Sequence, residues 1–174
     1  FELFEPIERK YLSEISRAFP EFSVEISPES GVESVRREQG RPYGNFELEK
    51  TIENAFNLGA SRFDVFFMIG LPSQTRETVM HTLAYIEKLS NRFAGMGEFH
   101  PFIFPLTPFL DPGSLAFEYP ERYGYIKYAE TLMDHYRLIE HGRSWRDFLN
   151  YRTVALSRDD IVDLTYESAL RLLE

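Results

Sequence analysis

Two short stretches of the chain carry groups that could bind a small polar molecule. In the first, Glu29 and Ser30 follow an alternating run at 22–27, and Arg41 comes after the next short helical segment. The carboxylate and the hydroxyl could accept hydrogen bonds from hydroxyl or ammonium groups, and the guanidinium presents a planar fork that suits a carboxylate. The second stretch consists of Gly70, Leu71 and Pro72. A glycine there lets the backbone pass close to a flat ligand.

Ser30 and Arg41 also have ordinary structural explanations. Ser30 could cap a helix that starts at Gly31, a role that is compatible with ligand binding. Arg41 could be an exposed arginine beside the turn at 42–44. The residue types alone leave both explanations open.

Each stretch follows a predicted strand and leads into a helical pattern. Residues 22–27 alternate between apolar and polar types, and residues 62–69 are almost continuously apolar, as expected for strands of a parallel sheet. Ligands of such β-α-β-α units gather at the carboxyl ends of the strands. The predicted elements in order are helix 7–19, strand 22–27, helix 31–39, helix 46–58, strand 62–69, helix 74–91 and strand 97–104.

Single polar residues within these elements have specific predicted roles. Asn45 and Ser73 are each expected to cap the helix that follows them. Asp64 interrupts an apolar strand; it either faces the interior of a barrel or lies in solvent at the start of the strand, and we favour solvent. His100 is expected to be a core histidine with its hydrogen bonds satisfied. The helix after Gly31 has a thin apolar face, since Arg36 stands where a second apolar residue is expected.

Composition excludes several classes of protein. The 174 residues carry a net charge of −9 and 43% hydrophobic residues, which favours a folded acidic domain over one that binds nucleic acid or an anionic membrane. No long uncharged apolar run appears, so we expect a soluble, cytoplasmic chain. The chain contains no cysteine, which excludes disulfides and thiolate ligands from within it. No zinc-ligand spacing appears among the four histidines, and we predict no metal site.

The order of motifs resembles a known family. The residues that carry the resemblance are, in order, Glu29-Ser30-Gly31, Val35, Arg41 and, after the next helix, the run Ile69-Gly70-Leu71-Pro72-Ser73-Gln74-Thr75. In this order they are similar to the C-terminal half of the radical S-adenosylmethionine domain. The similarity covers roughly residues 1–110. It is greatest to the branches that carry a cobalamin-binding domain upstream, so the resemblance raises cobalamin as a second cofactor of the parent protein.

The resemblance implies a fold, a cofactor and a reaction. The fold is a partial parallel (β/α) barrel at 1–114, the C-terminal half of a TIM-like barrel, followed by a helical C-terminal extension at 115–174. Glu29 and Ser30 would contact the ribose and amino acid portion of S-adenosylmethionine, Arg41 its carboxylate, and the loop 70–72 its adenine. A 4Fe–4S cluster would cleave this cofactor to a 5′-deoxyadenosyl radical. Its three cysteine ligands are expected in an N-terminal half that is missing here, so this fragment alone is expected to be inactive.

The C-terminal part of the chain is predicted to be mainly helical. A Pro-rich loop at 105–114 precedes it, and Asp111-Pro112-Gly113-Ser114 is a variant of a loop found in the cobalamin-linked branches. Ser157 and Asp160 are expected to open the last helix, 158–173. The helix 123–139, stopped by Gly142, is predicted to turn Ile126, Ala129, Met133, Tyr136 and Ile139 to the core.

Two other functions fit the same sequence. The chain could be a non-catalytic α/β interaction domain whose open sheet edge pairs with another chain, in which case it would self-associate. An ordinary TIM-barrel lyase would need a catalytic lysine at a strand end, and Lys50 and Lys88 both fall on predicted helices.

Overall fold

A computed structural model of the chain describes residues 1–105 and 110–173. The residues form two compact units, Phe1–Phe67 with Met80–Phe102, and Met68–Val79 with Ile103–Glu174. The elements are β1 Glu2–Leu3, α1 Arg9–Ala18, β2 Ser23–Glu29, α2 Glu33–Glu38, α3 Asn45–Asn57, β3 Arg62–Ile69, α4 Arg76–Phe93, β4 Glu98–Pro105, α5 Leu115–Glu118, β5 Tyr125–Lys127, α6 Leu132–His141, α7 Trp145–Phe148, β6 Tyr151–Thr153 and α8 Arg158–Leu173.

The first four strands form one parallel sheet in the order β1-β2-β3-β4, which confirms the predicted α/β fold. Each strand lies beside the strand that follows it in the chain, and β2 pairs with β3 from Ser23 opposite Arg62 onwards. Strand β3 has the predicted bounds, 62–69. The two-residue strand β1 at the edge of the sheet was not predicted. Just before it, the Phe1 ammonium donates a hydrogen bond to the Ser23 carbonyl of β2 at 2.7 Å.

The sheet of the first unit has one helix-covered face. Phe63 and Phe67 of β3 are fully buried, and their rings lie 6.2 Å from Phe56 of α3 and 6.3 Å from Tyr85 of α4. Phe99 of β4 packs in the same way on α4. Alternation along a strand sends the intervening side chains to the opposite face, so the polar residues of β3 and β4 share that second face.

Two of the polar residues behave differently from the prediction. Asp64 is not in solvent: it is 8% exposed, because Arg62 and His100 surround its carboxylate. His100 has a polar partner but is not a core residue, since its side chain is 43% exposed. The pairing of Asp64 explains its burial, because a carboxylate leaves water only where charges or donors replace the lost hydration.

The predicted helix caps are wrong at two positions. Asn45 lies inside the first turn of α3, and Gly44 precedes that helix. The Asn45 side chain instead accepts from Arg36 at 2.5 Å and donates to the Gly31 carbonyl at 3.1 Å. The hydroxyl of Ser73 is buried with no partner among the described residues. Thr75 and Thr78 exchange hydrogen bonds at the start of α4, which removes the need for Ser73 there.

The second unit is less helical than predicted. Strands β5 and β6 pair antiparallel, and β5 occupies the start of the predicted helix 123–139. Helix α6 runs only from Leu132 to His141, and Gly142 follows it as the predicted stop. The last helix has its predicted bounds, 158–173, and the Ser157–Asp160 capping bonds are present.

The predicted buried face of α6 is wrong. Of the five residues expected to face the core, only Ala129 is buried, and it lies before the helix. Met133, Tyr136 and Ile139 are about half exposed, and the buried position is His135. Helical spacing identifies an apolar stripe but not the side on which the rest of the fold packs.

No described helix is long and apolar enough to cross a membrane. Residues 106–109 lie outside the described residues. They belong to the Pro-rich loop predicted at 105–114.

Candidate functional site

The carboxyl end of β2 is distorted at the position where the sequence predicts a site. The pairing of β2 with β3 shifts between Ile26 and Glu29, so β2 carries one residue more than its partner over this interval. Glu29 has a φ of +67°, the left-handed region that a residue with a Cβ seldom occupies. Such a conformation costs on the order of 1–3 kcal/mol and persists where surrounding contacts enforce it, often at a binding site.

Glu29 and Arg41 form an ion pair beside this distortion. The Arg41 Nη2 lies 3.2 Å from the Glu29 Oε1, and the Arg41 Nη1 donates to the Phe4 carbonyl at 3.1 Å. The two side chains are 10% and 21% exposed. The second carboxylate oxygen, Oε2 of Glu29, is buried and has no partner among the described residues. This oxygen is an acceptor with room for one donor that the described part of the chain does not supply.

Burial sets the protonation of Glu29. Loss of hydration raises the pKa of its carboxyl above the ordinary value of 4.5, and the hydrogen bond and charge of Arg41 oppose that rise without cancelling it. A nearby donor or cation on a ligand would favour the ionised form. The site therefore favours a ligand that carries an ammonium or hydroxyl group.

The pH dependence of stability should report this raised pKa. The folded state holds the Glu29 proton more tightly than the unfolded state, so the free energy of unfolding should fall as pH rises from about 4.5 through the raised pKa. Glu29→Gln should remove that component of the profile, and urea unfolding at pH 4 to 8 measures it. A profile identical in the variant and the natural chain would contradict the assignment. Glu38→Gln, at an exposed residue of α2, is the control.

Ser30 is held by the chain itself. Its Oγ accepts from the Val32 N–H at 3.1 Å and lies 3.2 Å from the Thr82 Oγ1. Gly31 packs so closely on α4 that an added Cβ would lie 2.9 Å from the Tyr85 ring. Ser30 therefore holds the turn after β2, but it does not cap a helix as the structural explanation predicted, because α2 begins at Glu33, with Val32 at its N-cap and no side-chain cap.

Arg36 is the residue that sequence reasoning missed. Its side chain is fully buried and donates from Nε at 3.0 Å and Nη2 at 2.8 Å to the Ser30 carbonyl, from Nη1 to the Tyr43 carbonyl, and from Nη2 to Asn45. It thereby ties the end of β2 to the start of α3. The sequence did carry a sign of this buried position, because an arginine stands where the second apolar residue of the short helix is expected. Burial lowers the pKa of Arg36, yet its guanidinium stays charged at neutral pH.

Tyr43 adds a second unpartnered polar atom to this neighbourhood. Its hydroxyl is buried and has no hydrogen-bond partner among the described residues. Burial raises the pKa of Tyr43 to about 12, while the nearby charges of Arg36 and Arg41 act in the opposite direction. The phenol is therefore a neutral group that could donate or accept a hydrogen bond.

The second predicted stretch belongs to the second unit and is held by residues of that unit. Gly70 has a φ of +89°, and a Cβ there would lie 2.9 Å from the Tyr151 hydroxyl. Leu71 is buried, and its N–H donates to the Gln74 side chain at 3.0 Å. Pro72 packs against Gly124 so closely that a Cβ added to Gly124 would lie 2.8 Å from the proline side chain. Within this unit, the backbone of Gly70 passes close to Tyr151; an approach to a flat ligand stays a prediction.

The structure brings three of the predicted site residues together in the first unit. Glu29, Ser30 and Arg41 surround the end of β2, and Arg36 and Tyr43 join them. Among residues 1–105 and 110–173, no group of three or more histidine, aspartate or glutamate side chains could hold a metal ion. No family model matches the chain, and a search of curated proteins finds no match either.

Proposed function

We propose that this chain is part of a radical S-adenosylmethionine enzyme, in which it forms the C-terminal half of the TIM-like barrel. The order of the sheet supports this. Strands that lie side by side in chain order and are joined by right-handed crossovers carry their helices on one face, as in a barrel. A doubly wound sheet reverses its order at a switch point, and the order β1-β2-β3-β4 contains no reversal.

The observation that carries the proposal is the Glu29–Arg41 pair at the carboxyl end of β2. The amino acid portion of S-adenosylmethionine is a zwitterion with one ammonium and one carboxylate. Arg41 presents a guanidinium fork, and Glu29 keeps a buried oxygen without a partner. The two charges therefore have the signs that a zwitterion requires, at a strand end where α/β folds bind ligands.

The residues of the chain fit the organic cofactor. Glu29 would accept from its ammonium or ribose hydroxyls, Arg41 would bind its carboxylate, and Tyr43 offers a further neutral hydrogen-bonding group. Ser30 keeps the turn that holds Glu29 in place. A role of Gly70, Leu71 and Pro72 beside the adenine stays a prediction. When bound next to a reduced cluster, S-adenosylmethionine supplies a 5′-deoxyadenosyl radical that removes a hydrogen atom from a substrate.

The chain cannot hold the iron–sulfur cluster by itself. Cluster irons are bound by cysteine thiolates, and the chain has none. The ligands would lie elsewhere in the protein, and an upstream cobalamin-binding domain stays an expectation of the same resemblance.

Arg41→Ala should weaken S-adenosylmethionine binding by about 1–3 kcal/mol, or roughly 5- to 150-fold in dissociation constant. Titration calorimetry of the protein that contains this chain measures the change. Arg37→Ala, which removes an exposed arginine four residues away, is the control and should leave affinity unchanged. Arg41→Lys keeps the charge without the planar fork, and we expect an intermediate loss. Equal affinity in all four proteins would reject the site.

A second candidate, an interaction domain that pairs with a second copy of this chain, is favoured by the exposed apolar stripe of α6. Leu132, Met133, Tyr136 and Ile139 share one side of that helix and are 52–88% exposed. Exposed stripes of this kind mark association surfaces.

Self-association through α6 should appear as a monomer–dimer equilibrium in sedimentation velocity. Replacing both Met133 and Ile139 with serine should weaken the dimer at least about tenfold, because burying each side chain is worth roughly 1.5–3 kcal/mol. Leu170→Ser, at a residue of α8 that is 66% exposed, is the control. A chain that stays monomeric at high concentration would remove this candidate.

A further inference from the structure

A cleft in the first unit carries side chains that the S-adenosylmethionine proposal does not use. One wall is formed by residues 6–8 and the start of α1, the other by α3, and the space between them is about 430 Å³. Clefts that bind small organic molecules have volumes of roughly 300–1,000 Å³. We call it the α1–α3 cleft, and its lining includes Pro6, Ile7, Arg9, Lys50 and Thr51, all of the first unit.

The two walls of the cleft are fixed to each other. Helix α1 packs against α3. At one end of the contact the Ser16 hydroxyl of α1 donates to the Leu58 carbonyl that follows α3, at 2.7 Å. At the cleft itself the Thr51 hydroxyl of α3 donates to the Ile7 carbonyl at 3.5 Å. The cleft is therefore formed before a ligand arrives, which lowers the ordering cost of binding.

Part of the lining is apolar and open to solvent. Pro6 and Ile7 are only partly buried, and the methylene stems of Arg9, Lys10 and Lys50 add further carbon surface. Burying such surface against another apolar group releases water and favours binding. The cleft therefore suits a ligand with an apolar body.

The cations of the lining outnumber its carboxylates. Arg9, Lys10 and Lys50 supply three positive charges, whereas Glu8 and Glu47 supply two negative charges, so the lining carries 3 − 2 = +1 at neutral pH. The chain as a whole carries −9. The sign of the charge in the cleft is thus opposite to that of the chain.

Both carboxylates of the lining have partners already. Glu8 lies 3.2 Å from the Lys10 Nζ. Glu47 accepts from the Gly44 N–H at 3.1 Å, at the start of its own helix. A ligand therefore does not have to displace a carboxylate from Arg9 or Lys50.

One cation on each wall lacks a counter-ion. Among the described residues, neither Arg9 of α1 nor Lys50 of α3 has an ion-pair partner, and the Lys50 Nζ lies instead 5.9 Å from the centroid of the Phe46 ring. Asn54, on the same wall as Lys50, adds a polar side chain to the lining. These groups can donate hydrogen bonds to an anion from both walls.

We propose that the α1–α3 cleft binds a small organic monocarboxylate, with its carboxylate held by Arg9 and Lys50 and its apolar body against Pro6 and Ile7. One negative charge balances the lining charge of +1, whereas a second would be left uncompensated beside Glu8 and Glu47. A carboxylate also matches the planar fork of a guanidinium. This site is distinct from the one at Glu29 and Arg41 and does not depend on it.

Phenylacetate and phenylacetamide are the probes that test this proposal. The two molecules share their ring and their length, but only the first is charged at neutral pH. In a titration of the chain followed by ¹H–¹⁵N correlation of the backbone amides, phenylacetate should shift the amides of Ile7 and Thr51. It should bind about 3- to 10-fold more tightly than phenylacetamide, and added salt should reduce that preference because the cations are exposed.

Variants locate the preference for the charged probe. Arg9→Gln and Lys50→Gln should each reduce it, and the double variant should bind both probes equally. Arg17→Gln, at an exposed arginine in the last turn of the same helix α1, is the control and should keep the preference. Arg41→Ala should leave probe binding unchanged, so failure here and failure of the S-adenosylmethionine proposal are separate results.

Phenyl phosphate tests the choice of a monoanion. It carries close to two negative charges at pH 8 and should bind no more tightly than phenylacetate. Tighter binding of phenyl phosphate would overturn the assignment to a monocarboxylate. Equal affinities of phenylacetate and phenylacetamide for the natural chain, the absence of binding by either, or a preference that survives the double variant would overturn the site itself.

Discussion

Replacing Arg36 with alanine should lower the free energy of unfolding by about 3–5 kcal/mol, the largest effect expected of any single change discussed for this chain. The side chain is fully buried and supplies hydrogen bonds to the carbonyls of Ser30 and Tyr43 and to the side chain of Asn45. The variant would leave these acceptors without their donor and open a cavity of nearly an arginine side chain. Urea denaturation followed by far-ultraviolet circular dichroism measures the loss.

The neighbouring arginine is a matched control for this prediction. Arg37 is exposed in the same helix, so Arg37→Ala should change stability by less than about 0.5 kcal/mol. Arg36→Met fills much of the same volume without donors and should recover part of the packing but not the hydrogen bonds. If Arg36→Ala and Arg37→Ala had equal effects, Arg36 would not be the link between β2 and α3.

Asn150→Ala should destabilise the second unit by about 2–4 kcal/mol. Asn150 is fully buried, and its amide both accepts from the Leu110 N–H at 2.7 Å and donates to the Leu110 carbonyl at 3.2 Å. Its Nδ2 also lies 2.9 Å from the His135 Nε2. Because the backbone of Leu110 fixes the orientation of the amide, Nδ2 is the donor and His135 is the acceptor, with its own Nδ1 hydrogen on the Thr131 carbonyl at 2.9 Å.

Thermal unfolding and hydrogen exchange together locate this loss. Protection should fall in β6 and α6, while the amides of β2 and β3 keep theirs. Asn91→Ala, at an exposed position of α4, is the control and should be neutral or slightly stabilising because alanine favours helix. Loss of protection spread evenly over the chain would contradict a role confined to the second unit.

The regular elements of the first unit could be predicted because their signals are local. The apolar run of β3 and the helical spacing of α3 and α4 depend on neighbouring residues alone. The sequence also indicated Glu29 and Arg41 as candidates. It could not indicate that they pair, because the pairing depends on the extra residue in β2 and on the turn that Arg36 holds.

The errors arose where distant residues decide the environment. Asp64 is buried between Arg62 and His100, and His100 reaches it from β4, which no window around Asp64 contains. His135 is the buried residue of α6 because Asn150, beyond the end of that helix, bonds to its ring. In both places a polar partner overrides the apolar pattern. A buried polar group avoids most of its desolvation penalty when its hydrogen bonds are satisfied.

A ligand comparison tests the central claim, that the Glu29–Arg41 pair receives the amino acid portion of S-adenosylmethionine. 5′-Methylthioadenosine has the same nucleoside and sulfur but no carboxylate or ammonium. Titration calorimetry of natural and Arg41→Ala protein with both ligands should show a loss of about 5- to 150-fold for S-adenosylmethionine and none for 5′-methylthioadenosine. An equal loss for both ligands, or no loss for either, would contradict the claim.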